Sequence, residues 1–174
     1  MKMNTILKWG LLVSIFSFLG CAGTSSLYSI NMYYDAGKVA VPAYLKGDEA
    51  SNATIAVAEF TDTRKLDDQS IIGRVVEKGG MKKLVFPKNI KATKAISRGI
   101  KEYLRKAGYK VDDKTVQWDL NENNIPRQDN KILIGGNIDE LEVFCRRDFP
   151  ANSYKTDIKL TIYFADIIKG NYSV

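Results

Sequence analysis

Histidine is absent from the 174 residues. Ser-His-Asp and Cys-His catalytic arrangements are excluded with it, and so are histidine-ligated metal sites. Cysteine is nearly absent too. Cys21 and Cys145 are the two in the chain, too few for a framework of disulfides. Glycine occurs in the pairs Gly79-Gly80 and Gly135-Gly136, without the spacing of a dinucleotide or Walker phosphate loop, so turn or bulge positions are expected for both. The 26 basic and 20 acidic residues are scattered, and no block of about five like charges forms a tail. Lysines recur between Lys78 and Lys114, which reads as a solvated helix face before it reads as a surface for anionic lipid or polymer. Aromatics do not interleave with a basic cluster, which argues against nucleic acid as a partner. Nor does the apolar run Trp9 to Leu19 suffice to span a bilayer, being about half of the roughly 20 residues required.

What is present begins with the leader. Lys2 and Lys8 precede that short apolar run, and Leu19-Gly20-Cys21-Ala22 follows it. Positive, apolar, then small is the order of a secretory signal peptide. The cut site resembles the bacterial lipobox, with Phe18 at its first position as a departure from the usual aliphatic residue. That resemblance implies cleavage before Cys21, a diacylated thiol and an acylated new amino terminus. Two or more chains anchor stably where one is marginal. It also implies outer-membrane sorting with the domain facing the periplasm, because Ala22 is uncharged where an aspartate would signal retention. A membrane-spanning helix and an unmodified cysteine are the alternatives. The expected organisation is a signal peptide over residues 1–20, a lipidated terminus and tether over 21–27, and a single domain over 28–174. Loss of Lys2 and Lys8 would lower the net charge from +6 to about +4. Cys145 is then without a partner in the chain, to be buried or to bridge two molecules.

The body alternates periods. A short strand is expected within Leu27 to Tyr34, and a buried one over Thr54 to Phe60, followed by the polar loop Thr61 to Gly80. Ile71–Val76 and Met81–Phe86 flank Lys78-Gly79-Gly80 as a hairpin, with Pro87 ending it. Ile96, Ile100, Tyr103, Leu104 and Ala107 recur at helical spacing, with Asn89 as the expected N-cap and Gly108 as the residue past the last turn. Tyr109-Lys110-Val111 returns as a strand, a crossover that is right-handed if the strands are parallel. Later, Ile132, Ile134 and Ile138 hold one alternating phase and Leu141, Val143 and Cys145 the other, which demands a bulge or bend near Asp139-Glu140. Ile158, Leu160, Ile162 and Phe164 form an inward row of a second long strand, joined to the first through Arg146 to Ser153 with the turn at Phe149 to Asn152. Ile168 to Tyr172 reads as one more turn, leading either to a very short strand or past the end of a fragment. The fold class is α/β in the α+β sense: a two-layer domain with one main amphipathic helix on a mixed β-sheet containing long antiparallel strands.

Asp139, Glu140 and Glu142 are the acidic cluster a carboxylate-only hydrolase would need. On a strand Glu140 and Glu142 share a face while Asp139 points away, and no calcium-loop spacing surrounds them. No catalytic residue, cofactor or metal is therefore assigned.

The run "VAEFTDTRKLDDQSIIGR", the proline before the helix, the helix ending "LRKAGYKV" and the hairpin "ILIGGNIDELEVF" resemble the YajG-like family of bacterial lipoproteins. Asp62, Arg64, Ile72, Gly73, Gly108 and Tyr109 carry the match, which runs from the leader to nearly the end and lacks the family's final strand. The resemblance implies an outer-envelope lipoprotein, not an activity. The expected role is a non-enzymatic binding or accessory module whose partner is an envelope protein or cell-wall polymer. The runner-up is an auxiliary lipoprotein of an ABC-type lipid-trafficking system or an activator of a cell-wall synthase. The candidate partner-binding loop holds Asp62, Arg64, Gly73 and Arg74. There Arg64 is expected to hold loop geometry, with little loss of melting temperature when it is removed.

Overall fold

A computed structural model describes residues 27–47, 53–126, 129, 132–147 and 151–173. The leader, Cys21 and the tether before Leu27 lie outside the described residues, as do Phe149 and Pro150 of the expected turn at Phe149 to Asn152. The elements in order are β1 (Tyr28–Ile30), β2 (Thr54–Ala58), β3 (Thr61–Asp62), β4 (Gly73–Val76), β5 (Lys82–Pro87), α1 (Ala92–Lys106), β6 (Lys110–Val116), β7 (Ile132–Arg147), β8 (Asn152–Asp166) and β9 (Asn171–Ser173). One helix packs against a mixed sheet with two long strands, the α+β layering that the alternation of periods predicts.

β7 is the spine. One of its edges takes three partners in succession, all parallel: β2 at Ile132 to Ile134, β3 at Asn137 and Ile138, and β4 at Val143 to Arg146. Its other edge pairs antiparallel with β8 from Ile132↔Asp166 to Arg147↔Asn152. Beyond β2 lies β6, parallel to it, so the β2–α1–β6 crossover forms as expected. Beyond β4 lies β5, closing the expected hairpin, and then the short β1, which occupies only part of the segment read as a strand.

Two clusters sandwich the sheet. On the helix side Ile55, Val57, Phe60, Ile72, Val85, Ile134, Ile138 and Leu141 pack with Ile96 of α1. On the other side Ala56, Ala58, Leu133 and Ala165 are small or branched residues under Trp118, Tyr163 and Tyr172. Ile134 and Leu141 belong to one cluster although they are in opposite phases. The register slips between Ile138 and Glu140, so Asp139 is the extra residue of a bulge. Its carboxylate accepts from Thr161 Oγ1 at 2.7 Å and Thr63 Oγ1 at 3.4 Å, which keeps the unpaired residue bonded.

Gly135 and Gly136 are neither turn nor bulge. They lie in mid-strand, where a Cβ on Gly135 would stand 2.7 Å from the Trp118 ring and one on Gly136 2.4 Å from the Phe60 ring. The two aromatics close on the backbone from opposite faces, and only residues without side chains leave them room.

Three further expectations are corrected. Asn89 does not cap α1, which starts at Ala92 after Lys91 with no side-chain cap. Its amide instead accepts from the Met32 N–H at 3.0 Å and donates to the Met32 carbonyl at 3.3 Å, acting as one more rung beyond β1 and β5. Lys101 is buried although the lysines of this stretch were read as a solvated helix face, and Ser97 is buried beside it. Ser97 Oγ takes the Phe60 N–H at 3.0 Å, and Lys101 Nζ donates to the carbonyls of Asp113 and Lys114 at 3.0 and 2.8 Å, tying α1 to β6. Burial pushes the Lys101 pKa down from its ordinary value. Finally, the inward row of β8 is covered only in its middle: Leu160 and Ile162 pack on the core, while Ile158 and Phe164 are 53% and 45% exposed. α1 lies over β2 and β6, and the β8 side of the same sheet face extends past it.

At the end of the helix the reading holds. Gly108 has φ +95°, and the Tyr109 N–H reaches back to the Leu104 carbonyl at 3.0 Å, turning the chain into β6.

Candidate functional site

The loop between β3 and β4 bridges a gap, because β7 has no strand on that edge between Ile138 and Val143. Arg64 fills this gap from within. Its Nε and Nη2 donate to the two carboxylate oxygens of Asp62 at 2.9 and 2.7 Å, a fork-on-fork pair. Nη1 donates to the carbonyls of Ile71 and Leu141 at 2.8 and 3.2 Å, and Nη2 also to that of Gln69 at 2.6 Å. All five guanidinium donors are thus occupied, and the residue is 6% exposed. The loop is wrapped around a cation whose countercharge sits two residues away. Arg64 is closed off from a partner, and this burial argues that its removal will be read out in stability, where the sequence alone led to an expectation of a nearly unchanged melting temperature.

Gly73 enters β4 at the closest backbone approach in this region. A Cβ there would stand 1.9 Å from the Val143 carbonyl oxygen, and the Val143 N–H bonds the Ile72 carbonyl at 2.8 Å. Arg74, next in the chain, points to the face away from α1. Its guanidinium lies 3.1 Å from Glu142 Oε1 and 5.5 Å from the centre of the Phe144 ring. Of the four loop residues singled out in the sequence, Asp62, Arg64 and Gly73 are therefore internal and Arg74 is presented.

Arg74 borders an open groove of about 530 Å³ between the loop, β4 and the β7–β8 ribbon. Leu66 and Leu84 give it an apolar floor, both substantially exposed, while Lys65, Glu142 and Asp157 supply charge of both signs. Glu140 and Glu142 do share a face as expected. They pair with Lys159 at 3.8 Å and Arg74 at 3.1 Å and do not converge with Asp139. Among the described residues no group of three or more metal-ligating side chains comes together.

A second assembly had no signal in the sequence. The Tyr28 hydroxyl donates to Glu77 Oε1 at 2.5 Å and accepts from Arg147 Nη1 at 2.9 Å. Lys83 Nζ lies 3.5 Å from the same Glu77 oxygen, and both Lys83 and Arg147 stand over the Tyr28 ring. The donated hydrogen bond holds the Glu77 carboxyl below its ordinary pKa, helped by the two cations, and pushes the Tyr28 hydroxyl up. This knot ties the first strand, the β4–β5 hairpin and the far end of β7 together and fixes the position of Tyr28 on the domain.

Cys145 is half-buried against the helix-side cluster, as its phase implies, and is a free thiol. Cys21 lies outside the described residues. Among the described residues no helix is long and apolar enough to cross a membrane. Comparison with protein-family models, with curated proteins and with solved structures found no match to the chain. The class that the geometry itself defines is an α+β domain whose helix covers β2 and β6 and whose β4, β7 and β8 border a mixed-charge groove.

Proposed function

We propose that the chain is a lipid-anchored envelope lipoprotein of YajG-like type, tethered at the outer membrane through Cys21, whose domain serves as a non-enzymatic binding module in the periplasm. The carrying observation is Leu19-Gly20-Cys21-Ala22 behind two lysines and a short apolar run. The candidate contact surface is the groove bordered by Arg74, Leu66, Leu84 and Asp157, with apolar floor and charged rim in the proportions of a weak protein or polymer interface. Arg64 and Gly73 act beneath it by fixing the loop. Mass spectrometry of the mature amino terminus tests the reading: a lipid-modified Cys21 is expected, and an unmodified peptide spanning Gly20 and Cys21 overturns it. Replacing Ala22 with Asp should shift the anchored protein to the inner membrane, as read by membrane fractionation.

A further inference from the structure

β9 pairs with β8 only at Phe164 to Asp166. From Asn152 to Tyr163 the outer edge of β8 has no strand beside it among the described residues. Such an edge is a row of unpaired N–H and C=O groups, a template for another strand. Here it also carries an apolar row on one face. Tyr154 and Ile158 are 73% and 53% exposed, and Leu160 and Ile162 continue the row inward. On the opposite face stand Lys155, Asp157 and Lys159.

We infer that this edge is the contact for a second copy of the chain, the two β8 strands pairing antiparallel about a two-fold axis at Ile158. The order of side chains supports this occupant, because the strand is complementary to itself in that register. Ile158 meets Ile158 of the second copy, Leu160 meets Thr156 and Ile162 meets Tyr154, so the apolar rows are contiguous. On the charged face Asp157 stands opposite Lys159, twice by symmetry, and no like charges face each other. Moving the axis by one residue places Asp157 on Asp157 or Lys159 on Lys159, which opposes pairing. An axis at Thr156 keeps the charges matched, through Lys155 and Asp157, but pairs only Asn152 to Leu160 and leaves Ile162 uncovered. The Ile158 register is the one that uses the whole free edge. Edge lysines ordinarily block such pairing. These two already neighbour carboxylates, Lys155 at 2.8 Å from Asp157 and Lys159 at 3.8 Å from Glu140, so they do not repel a matched strand. The assembly is a continuous sheet through two domains with an isologous interface. It does not depend on acylation of Cys21.

Hydrogen exchange of the purified full chain, followed over roughly a hundredfold range of concentration, reads the edge directly. Amides of Lys155 to Tyr163 should become slower to exchange as concentration rises, in step with a doubling of mass by light scattering. Asp157→Lys sets lysine against lysine at two symmetric points and should weaken the dimer by about tenfold. The exchange Asp157→Lys with Lys159→Asp restores opposite charges in this register alone and should return most of the affinity. Circular dichroism melting confirms that each variant is folded. Strong, concentration-independent protection in a monomer shows the edge already covered and overturns the inference. Fast exchange at every concentration also overturns it, as does a double variant that dimerises no better than the single one.

Discussion

Ile138 and Ile158 lie on neighbouring strands, in the same helix-facing row of side chains, one residue pair apart along the ribbon. Ile138 is 0% exposed and Ile158 is 53% exposed. Ile138 precedes the bulge of β7 while Ile158 lies in unbroken β8, yet both rows face the helix side, so the difference comes from what lies above them. α1 is a single helix set over β2 and β6, and its cover runs out across β7. The sheet is therefore core on both faces around β2, keeps a buried helix-side face through Val75 and Val85 of β4 and β5, and at its β8 edge is covered only around Leu160 and Ile162. Alternation in sequence states which face a residue is on, and the reach of the neighbouring layer decides whether that face is buried.

The largest effect is expected at the Arg64 clamp. Arg64→Ala leaves the Asp62 carboxylate and the carbonyls of Gln69, Ile71 and Leu141 without their donor in a closed environment. Breaking one side of a buried pair costs about 3–5 kcal/mol, so chemical denaturation should show most of the domain's stability removed. If Arg64→Ala melts like the wild type, the loop does not depend on the clamp. Next comes Gly73→Ala, whose methyl group meets the Val143 carbonyl and forces β4 off β7. Overpacking of this kind costs about 3 kcal/mol, and hydrogen exchange should show the Val143 amide losing protection first. A smaller pair of substitutions measures the comparison itself. Ile138→Val should cost about 1 kcal/mol as a buried methylene is lost. Ile158→Val, measured at concentrations where the chain is monomeric, should stay within about 0.5 kcal/mol of zero. Equal losses would mean that the ribbon is as covered as the core.

The smallest effect is local and depends on pH. Glu77 is held below its ordinary pKa chiefly by the Tyr28 hydroxyl, so its contribution is complete above the ordinary glutamate range and is lost as pH falls through the lowered value. Tyr28 is raised by the same bond, so its contribution is complete below the ordinary tyrosine range and is lost as pH rises through the raised value. Protection of the Ser29 and Ile30 amides, corrected for intrinsic exchange, should therefore fall at both extremes while the core stays closed. Tyr28→Phe should flatten that profile.

Much of the frame was legible because it follows from short-range pattern. The phase change between Ile138 and Leu141 placed a bulge or bend near Asp139-Glu140, and the register identifies it as a bulge at Asp139. Gly108, the glycine pair at the β4–β5 turn and the helical spacing fixed the crossover in the same way. The failures share a different cause. Asn89 met the composition rule for a cap, but a two-bond match to the Met32 backbone, far away in the chain, outcompeted it. Arg64 was read as holding loop geometry for a partner, and its burial was missed because nothing local tells that a gap on β7 will receive it. Tyr28, Glu77 and Arg147 meet only after the hairpin, the parallel β1–β5 pair and the long β7 are all in place, so no window of sequence holds their relation. Gly135-Gly136 was assigned to a turn because the aromatics it accommodates, Phe60 and Trp118, come from other strands and loops.

The Tyr28 knot also sets a mechanical scale. Tyr28 stands seven positions after Cys21, and at about 3.5 Å per step even a fully extended leash measures only about 25 Å. If Cys21 is acylated as proposed, the domain patrols a thin layer beside the bilayer with the Lys83 and Arg147 end nearest the lipid. Two copies so confined meet in a plane instead of a volume, which raises their local concentration without any added contact. An edge pairing too weak to persist in dilute solution would then be populated at the membrane, and the density of anchored chains would become the variable that controls assembly.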